Sequence, residues 1–431
     1  MNEEITKQVK ISSQLLSSTK EIKNVSDFKK AIEENVEKSL TEVIETVLGG
    51  AIRLKSSDIH LEPRKEDVNL RVRVDGILHD VFVFSRKKYQ KIINRIKLLS
   101  GVKLNISDRP QDGRFSILVE DNAIEVRVST LPSEYGETAV LRLLDPKNLI
   151  SVSDLGLRKD LLELFNKQIK KPNGMIVVTG PTGSGKTTTL YAFLKKIRDP
   201  KIKVITIEDP IEYHLEGISQ TQVDPKKGYD FASGLRSIVR QDPDAILVGE
   251  IRDLETTEIS LQAAMTGHLV LSTLHTNDAA GTVTRMLSLG AEPVNIAPAL
   301  NIAIAQRLVR KVCDKCCKKE KPSPEELKKI KSKLKNLPKS VKAPKINKDT
   351  KISKAQGCPA CNGTGYRGRI AIFEAFLIDG KMEEFILTSP SVSALKEKAI
   401  KQGMATMEQD GLLKVLEGVT TIEEIERVAG S

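Results

Sequence analysis

The segment that most constrains this chain is Gly180-Pro181-Thr182-Gly183-Ser184-Gly185-Lys186-Thr187. It follows the apolar run Met175-Ile-Val-Val-Thr179 and opens a helical stretch through Thr188, Leu190 and Phe193. A strand, a glycine-rich turn and a helix in that order form a phosphate cradle. The glycines let backbone N–H groups close around the anion, and the helix N-terminus favours negative charge. Lys186 is spaced to reach β- and γ-phosphates, and the Thr187 hydroxyl to take a Mg²⁺ coordination position. Residues 180–188 are therefore expected to bind a nucleoside triphosphate with Mg²⁺. The surroundings indicate an α/β fold. Met175–Thr179, Lys203–Ile207 and Ala245–Val248 are short apolar runs separated by helical stretches, as strands buried on both faces of a parallel sheet are.

The chain has 431 residues, 39% apolar and 29% charged. That excludes a disulfide-stapled mini-protein and a largely disordered chain, and leaves room for several domains. Met1-Asn2-Glu3-Glu4 carries acids where a secretory signal carries bases, and no apolar stretch approaches about 18 residues. A cytoplasmic protein with no anchor of its own is expected. The net charge is +11, and residues 318–354, with fourteen lysines and four acids, hold +10 of it. That segment lacks arginine and aromatic residues, so it reads as a solvated insertion rather than a nucleic-acid track.

All five cysteines lie between positions 313 and 361. Cys313-Asp-Lys-Cys316 and Cys358-Pro-Ala-Cys361 are two complete CxxC knuckles, the spacing of a four-thiolate structural Zn²⁺ site. Cys317 reads as a bystander. The alternative is a redox pair or free thiols, although neither knuckle sits between a strand and a helix as thioredoxin-like pairs do.

Along the chain, residues 1–40 are polar and weakly helical, an expected arm or short helical extension. Val68, Leu70, Val72 and Val74 alternate, Asp75-Gly76 turns, and residues 77–84 return. Phe115, Ile117 and Val119, a turn at Glu120-Asp121-Asn122, and Ile124, Val126 and Val128 predict a second hairpin. Ile92, Ile93, Ile96 and Leu99 between them have helical spacing. Residues 41–146 thus predict a small α+β domain, 147–157 a linker, 158–312 the nucleotide-binding core, 313–362 the cysteine module and 363–431 a helical end domain.

Hydrolysis requires a group that orients water and another beside the metal. Two apolar runs end in such acids, at Glu208-Asp209-Pro-Ile-Glu212 and at Gly249-Glu250; Gly249 stands where a Walker B strand usually has Asp. Glu208, Asp209 and Glu212 are candidates for the missing carboxylate, or else cap helices and face solvent. His268 and His275 flank the apolar run Leu269–Leu271, either as core and turn residues or as partners of a carboxylate or γ-phosphate.

Over residues 41–431 the chain resembles the secretion ATPase superfamily, the hexameric motors of type II secretion and type IV pilus assembly. Gly180–Thr187 is similar to that family's Walker A, Ile207-Glu-Asp-Pro-Ile-Glu-Tyr213 to its Asp box, Leu247-Val-Gly-Glu-Ile-Arg-Asp253 to its atypical Walker B and Thr266–His275 to its His box. The resemblance implies a RecA-like P-loop ATPase core with a smaller PAS-like α+β domain before it. It implies that Glu212 orients water, that Glu250 coordinates metal, and that Arg127 and Arg142 reach the γ-phosphate bound by an adjacent subunit. Arg236 and Arg240 resemble a further pair near the nucleotide. The cysteine module points to an extension or secretion motor, because retraction motors of the family lack it.

The expected partners are a homo-hexamer, an inner-membrane platform protein and, indirectly, pilin or pseudopilin. The expected location is cytoplasmic and peripheral at the inner membrane. The first 40 residues are too short for the extra docking domain that such motors often carry, which leaves the Lys-rich segment as a surface for acidic lipid or partner contacts. The rival expectations are a hexameric nucleic-acid translocase and a nonhydrolysing nucleotide-gated scaffold.

Overall fold

Alternating apolar residues build one sheet and continuous apolar runs build another. In the computed structural model, which describes residues 8–10, 19, 21–119, 122–344, 346, 347 and 349–430, these sheets belong to two compact units. The first comprises 1–148 with 313–316 and 356–367. The second comprises 149–312, 317–355 and 368–431.

The first unit contains β1 (Gln8–Lys10), α1 (Val25–Asn35), α2 (Leu40–Arg53), β2 (Asp58–Pro63), β3 (Asp67–Val74), β4 (Ile77–Ser85), α3 (Arg86–Ser100), β5 (Gln111–Val119), β6 (Asn122–Ser133) and β7 (Gly136–Leu144). The sheet order is β1-β5-β6-β7-β2-β3-β4, antiparallel except for the β1–β5 pair. Because side chains alternate between faces, Ile59, Leu61, Leu70, Val72, Val126, Val128 and Leu141 share one face. They pack with Phe28, Ile32, Leu48, Ile93 and Ile96 of the helices into one core. The other face carries Asp58, His60, Arg73, Arg127 and Arg142.

The α+β expectation for this region fits that architecture, and Asp75-Gly76 turns the first hairpin. The turn expected at 120–122 falls largely outside the described residues, while Val119 pairs with Asn122 across it. Within the stretch expected as an arm or short helical extension, residues 25–35 form α1, which buries Phe28 and Ile32. The backbone N–H of Val25 also donates to Asn362 Oδ1 at 2.8 Å, joining the start of α1 to the second cysteine knuckle.

The second unit contains α4 (Lys159–Gln168), β8 (Gly174–Thr179), α5 (Lys186–Ile197), β9 (Val204–Glu208), β10 (Ser219–Gln222), α6 (Phe231–Val239), β11 (Ala245–Val248), α7 (Leu254–Met265), β12 (Leu269–Leu274), α8 (Gly281–Ser288), α9 (Pro293–Ala299) and β13 (Leu300–Val312). It continues through β14 (Lys318–Glu320), α10 (Pro324–Leu334), β15 (Ile352–Lys354), β16 (Tyr366–Leu377), α11 (Gly380–Ile386), α12 (Val392–Gln402), α13 (Met407–Leu416) and α14 (Ile422–Ala429).

Its main sheet has the order β10-β9-β11-β12-β8-β13-β16. The strands from β10 to β13 are parallel. Met175 and Val177 face one core while Ile176 and Val178 face another, so β8 is buried on both sides. Residues 366–377, expected in the helical end domain, instead form the edge strand β16. The four helices after it pack Met382, Leu395, Leu412 and Ile425 into the same core as Met175.

The Lys-rich segment is not a plain solvated insertion. α10 buries Ile330, and Ile352 of β15 is 1% exposed. Lys333 pairs with Glu408 at 3.0 Å and Lys354 with Glu423 at 3.2 Å, while Lys329 meets Glu426. Leu327, Ile330 and Leu334, spaced for one helix face among the lysines, were the legible sign of this packing. Among the described residues no helix is long and apolar enough to cross a membrane.

Candidate nucleotide site and cysteine cluster

Strand β8 ends at Thr179 and releases the glycine loop at the carboxyl edge of the parallel sheet. From there α5 leads to β9, three strands away on one side, while β13 flanks β8 on the other. Such a reversal of strand order opens a crevice, the usual ligand position of α/β sheets. Thr179 Oγ1 donates to the Leu274 carbonyl at 3.0 Å and accepts the Thr276 N–H at 2.8 Å. On the other flank buried Gln306 of β13 donates Nε2 to the Ser184 carbonyl at 2.9 Å and accepts the Thr189 hydroxyl at 2.6 Å. Neighbouring strands therefore hold both ends of the loop.

Lys186 opens α5, and its Nζ donates to the carbonyls of Gly180 at 2.9 Å and Pro181 at 3.2 Å. Burial pushes its pKa down, with Glu250 and Glu212 opposing that shift. Glu250 is largely buried, pairs with Arg252 and lies 3.5 Å from His275 Nε2. Burial and then Lys186 lower the His275 pKa, against the pull of Glu250. Lys186, Glu212, Glu250 and His275 thus share one electrostatic environment at the sheet edge. The buried Ser184 hydroxyl has no hydrogen-bond partner among the described residues. A phosphate oxygen would satisfy it, so the loop suits the anion that its sequence implies.

At the Walker B departure the backbone fits closely against β9. A Cβ on Gly249 would lie 3.3 Å from Glu208 Cα and from the Ile207 carbonyl oxygen. Gly249 N–H donates to that oxygen at 2.8 Å, so the glycine continues the pairing of β11 with β9 in a close fit.

Not every predicted site residue converges here. His268 precedes β12 and His275 follows it, which puts seven residue steps, or about 23 Å, between them. His268 therefore sits at the opposite sheet edge, with its Nδ1 3.1 Å from the Ala263 carbonyl. Glu208 is buried and meets Tyr191, the Thr206 hydroxyl at 2.6 Å and Gln220 Nε2 at 3.2 Å; its side chain braces the core. Asp209 is exposed. Arg236 pairs with Glu255 on the helix surface, and Arg240 donates to Ser237 Oγ at 3.3 Å. In the first unit, Arg127 of β6 stands directly opposite Arg142 of β7.

The cysteine cluster has metal-site dimensions. The sulfurs of Cys313, Cys316, Cys358 and Cys361 all lie within 4.8 Å of one another. Cys313 to Cys358 is 3.9 Å, Cys316 to Cys361 3.8 Å and Cys358 to Cys361 3.7 Å. Four Zn–S bonds of about 2.3 Å in a tetrahedron place sulfurs about 3.8 Å apart. Burial pushes the Cys361 thiol up, but N–H donors from Cys358 and Gly365 at 3.2 Å outweigh it and bring it to about 7. The residues present fit zinc.

Residues 33–427 match the family model described as Type II/IV secretion system protein. The chain belongs to this family. Its secretion-ATPase relatives include the Vibrio cholerae type II secretion system ATPase E, 44% identical over 90% of this chain and 75% of that one. The Thermus thermophilus type IV pilus assembly ATPase PilB is 43% identical over 90% of this chain. The chain spans only 43% of the Thermus protein's length. The X-ray structure of the Legionella pneumophila ATPase DotB shares the fold of this chain, with a TM-score of 0.65 at 22% identity, over 90% of this chain and 95% of that one.

Gln306, Thr179 and Thr276 support the loop without being among the residues that the sequence singled out. Gln306 was detectable as a polar interruption in the apolar run 302–309. Thr179 and Thr276 carried no comparable signal, because their bond depends on the adjacency of β8 and β12.

Proposed function

We propose that this chain hydrolyses ATP to drive assembly of a type IV pilus or a type II secretion pseudopilus. The observation that carries the reading is the convergence of Lys186, Glu212, Glu250 and His275 beside a glycine loop, in a chain of the secretion ATPase family. Loop N–H groups, the Ser184 hydroxyl and Lys186 bind the phosphates. Thr187 and Glu250 would hold Mg²⁺, which neutralises phosphate charge when bound. Glu212 orients the attacking water. Four cysteines hold Zn²⁺ as a structural clamp.

The working form in this reading is a homo-hexamer, cytoplasmic and peripheral at the inner membrane, that acts on pilin or pseudopilin through a membrane platform protein. Arg127 and Arg142 reach the γ-phosphate of the adjacent subunit, a contribution of about 10³ to 10⁵ in rate where arginine fingers act. Residues 147–157 are the hinge. Supply of these arginines in trans makes turnover depend on assembly. The test is ATPase rate per protomer against protein concentration, with and without DNA, at two salt concentrations. A rate that climbs with concentration and ignores DNA supports the motor. Salt-sensitive stimulation by DNA would replace it with a translocase, and no turnover at any concentration with a scaffold.

A further inference from the structure

Register across the first sheet produces an unusual row. Arg114 of β5 is paired with Arg127 of β6, Arg127 with Arg142 of β7, Arg142 with Asp58 of β2 and Asp58 with Arg73 of β3. Directly paired residues share a face, so four guanidinium groups and one carboxylate form a single line across the polar side. Like charges directly opposite one another destabilise a sheet, and such a line is suited to meeting an anion.

Asp58 is built into this row as a support. Its side chain is 7% exposed, whereas that of Arg142 is 55% exposed. Asp58 Oδ1 accepts Arg142 Nε at 3.0 Å. Its Oδ2 accepts the Ser57 hydroxyl at 2.8 Å and lies 3.5 Å from Arg73 Nε. Backbone bonds fix Ser57 itself, from its N–H to the Arg73 carbonyl and from Leu143 N–H to its own carbonyl, both at 2.9 Å. The carboxylate is thus anchored inside while the guanidinium projects. Contact through Nε leaves the two Nη groups, the forked donors that suit a phosphate.

We propose that Asp58 is a positioning residue that holds Arg142 extended with its Nη groups presented to the triphosphate of a neighbouring subunit. This rests on the assignment of Arg142 as a phosphate-directed arginine. Without Asp58, Arg142 would spread over its rotamers and be pushed away from Arg127 and Arg73. The ordering would then have to occur in the transition state, and it would appear in kcat rather than in ATP binding.

The experiment compares steady-state ATPase kinetics of the assembled full-length chain with those of Asp58→Asn, Arg142→Ala and the double variant. Asp58→Asn is expected to lower kcat about 10- to 100-fold, with KM for ATP within about twofold of the parent. In the Arg142→Ala background the same change should cost less than about twofold, because the group it positions is gone. If Arg142→Ala leaves kcat unchanged, the phosphate-directed reading fails and the proposal with it. If Arg142→Ala slows turnover while Asp58→Asn does not, the reading stands and the positioning role is overturned. An equal cost of Asp58→Asn in both backgrounds also overturns it. Should Asp58→Asn fail to fold, Ser57→Ala removes the hydroxyl that fixes Oδ2. A kcat loss with Ser57→Ala that vanishes in Arg142→Ala supports the proposal, and an unchanged kcat refutes it.

Discussion

His275 Nε2 lies 3.5 Å from Glu250 Oε2 at the carboxyl edge of the parallel sheet, close enough for the carboxylate to resist the lowering of the imidazole pKa by burial and Lys186. The folded pKa is below the ordinary 6.5. The neutral ring is therefore the form at pH 7, and its contribution to stability is present above the unfolded value and lost as pH falls below it. Each neighbour has a definite sign. Glu250→Gln should move the His275 titration midpoint further down, and Lys186→Ala should move it up. Ring-proton NMR across pH 5 to 8 checks both, and shifts of equal sign in the two variants would contradict this electrostatic arrangement.

Lys186→Ala should abolish measurable hydrolysis while the protein stays folded. Loss of a positioned cation from a developing phosphate charge costs about 10²-fold or more. The ammonium is disfavoured by burial in the folded chain, so its removal carries little stability penalty. ATPase rate and thermal melting of the same sample separate the two effects. A variant that loses activity only because it has unfolded would show a lowered melting point.

Metal analysis should find about one Zn²⁺ per chain, bound by four thiolates. Cys361→Ser should lower both zinc content and melting temperature, whereas Cys317→Ser should change neither, since Cys317 lies outside the four-sulfur cluster. A chelator should reproduce the Cys361→Ser loss in the parent protein. Zinc well below stoichiometry after gentle purification, with an unchanged melt on chelation, would instead mark the cluster as free thiols.

Features set by short-range pattern were legible in the sequence. The glycine loop follows an apolar strand, the knuckles have fixed internal spacing, and Val68 to Val74 alternate, so each revealed its local structure. What was hidden depends on which strands become neighbours. His268 and His275 look alike in sequence, yet strand length sends them to opposite edges. Glu208 resembles a catalytic strand-end acid until Tyr191, Thr206 and Gln220 are seen around it. Asp58 is an ordinary alternating polar residue until β7 and β3 bring Arg142 and Arg73 beside it. The close fit of Gly249 against β9 is likewise a distance that no spacing rule encodes.

A buried carboxylate braces β13 of the parallel sheet against α14. Glu424 of α14 is 1% exposed. It accepts the Arg310 backbone N–H at 2.9 Å and Arg310 Nη2 at 2.6 Å, together with Arg427 Nε at 2.8 Å and Nη2 at 2.6 Å. Burial raises its pKa, but these donors outweigh burial and bring the carboxyl down to about 2. A lowered acid pKa contributes stability above the ordinary 4.5, and that stability is lost as pH falls through this value toward about 2. Glu424→Gln leaves the mostly buried Arg310 without its charge partner, and should cost about 3 kcal/mol at pH 7. Urea midpoints at pH 7 and pH 3 test the assignment. The gap between parent and variant should shrink at pH 3, where the unfolded parent chain regains protons that the folded one resists. An equal gap at both values would mean that shape, not charge, holds α14 to β13. That distinction bears on function, because β13 also carries Gln306, the residue that bonds the phosphate loop through Ser184.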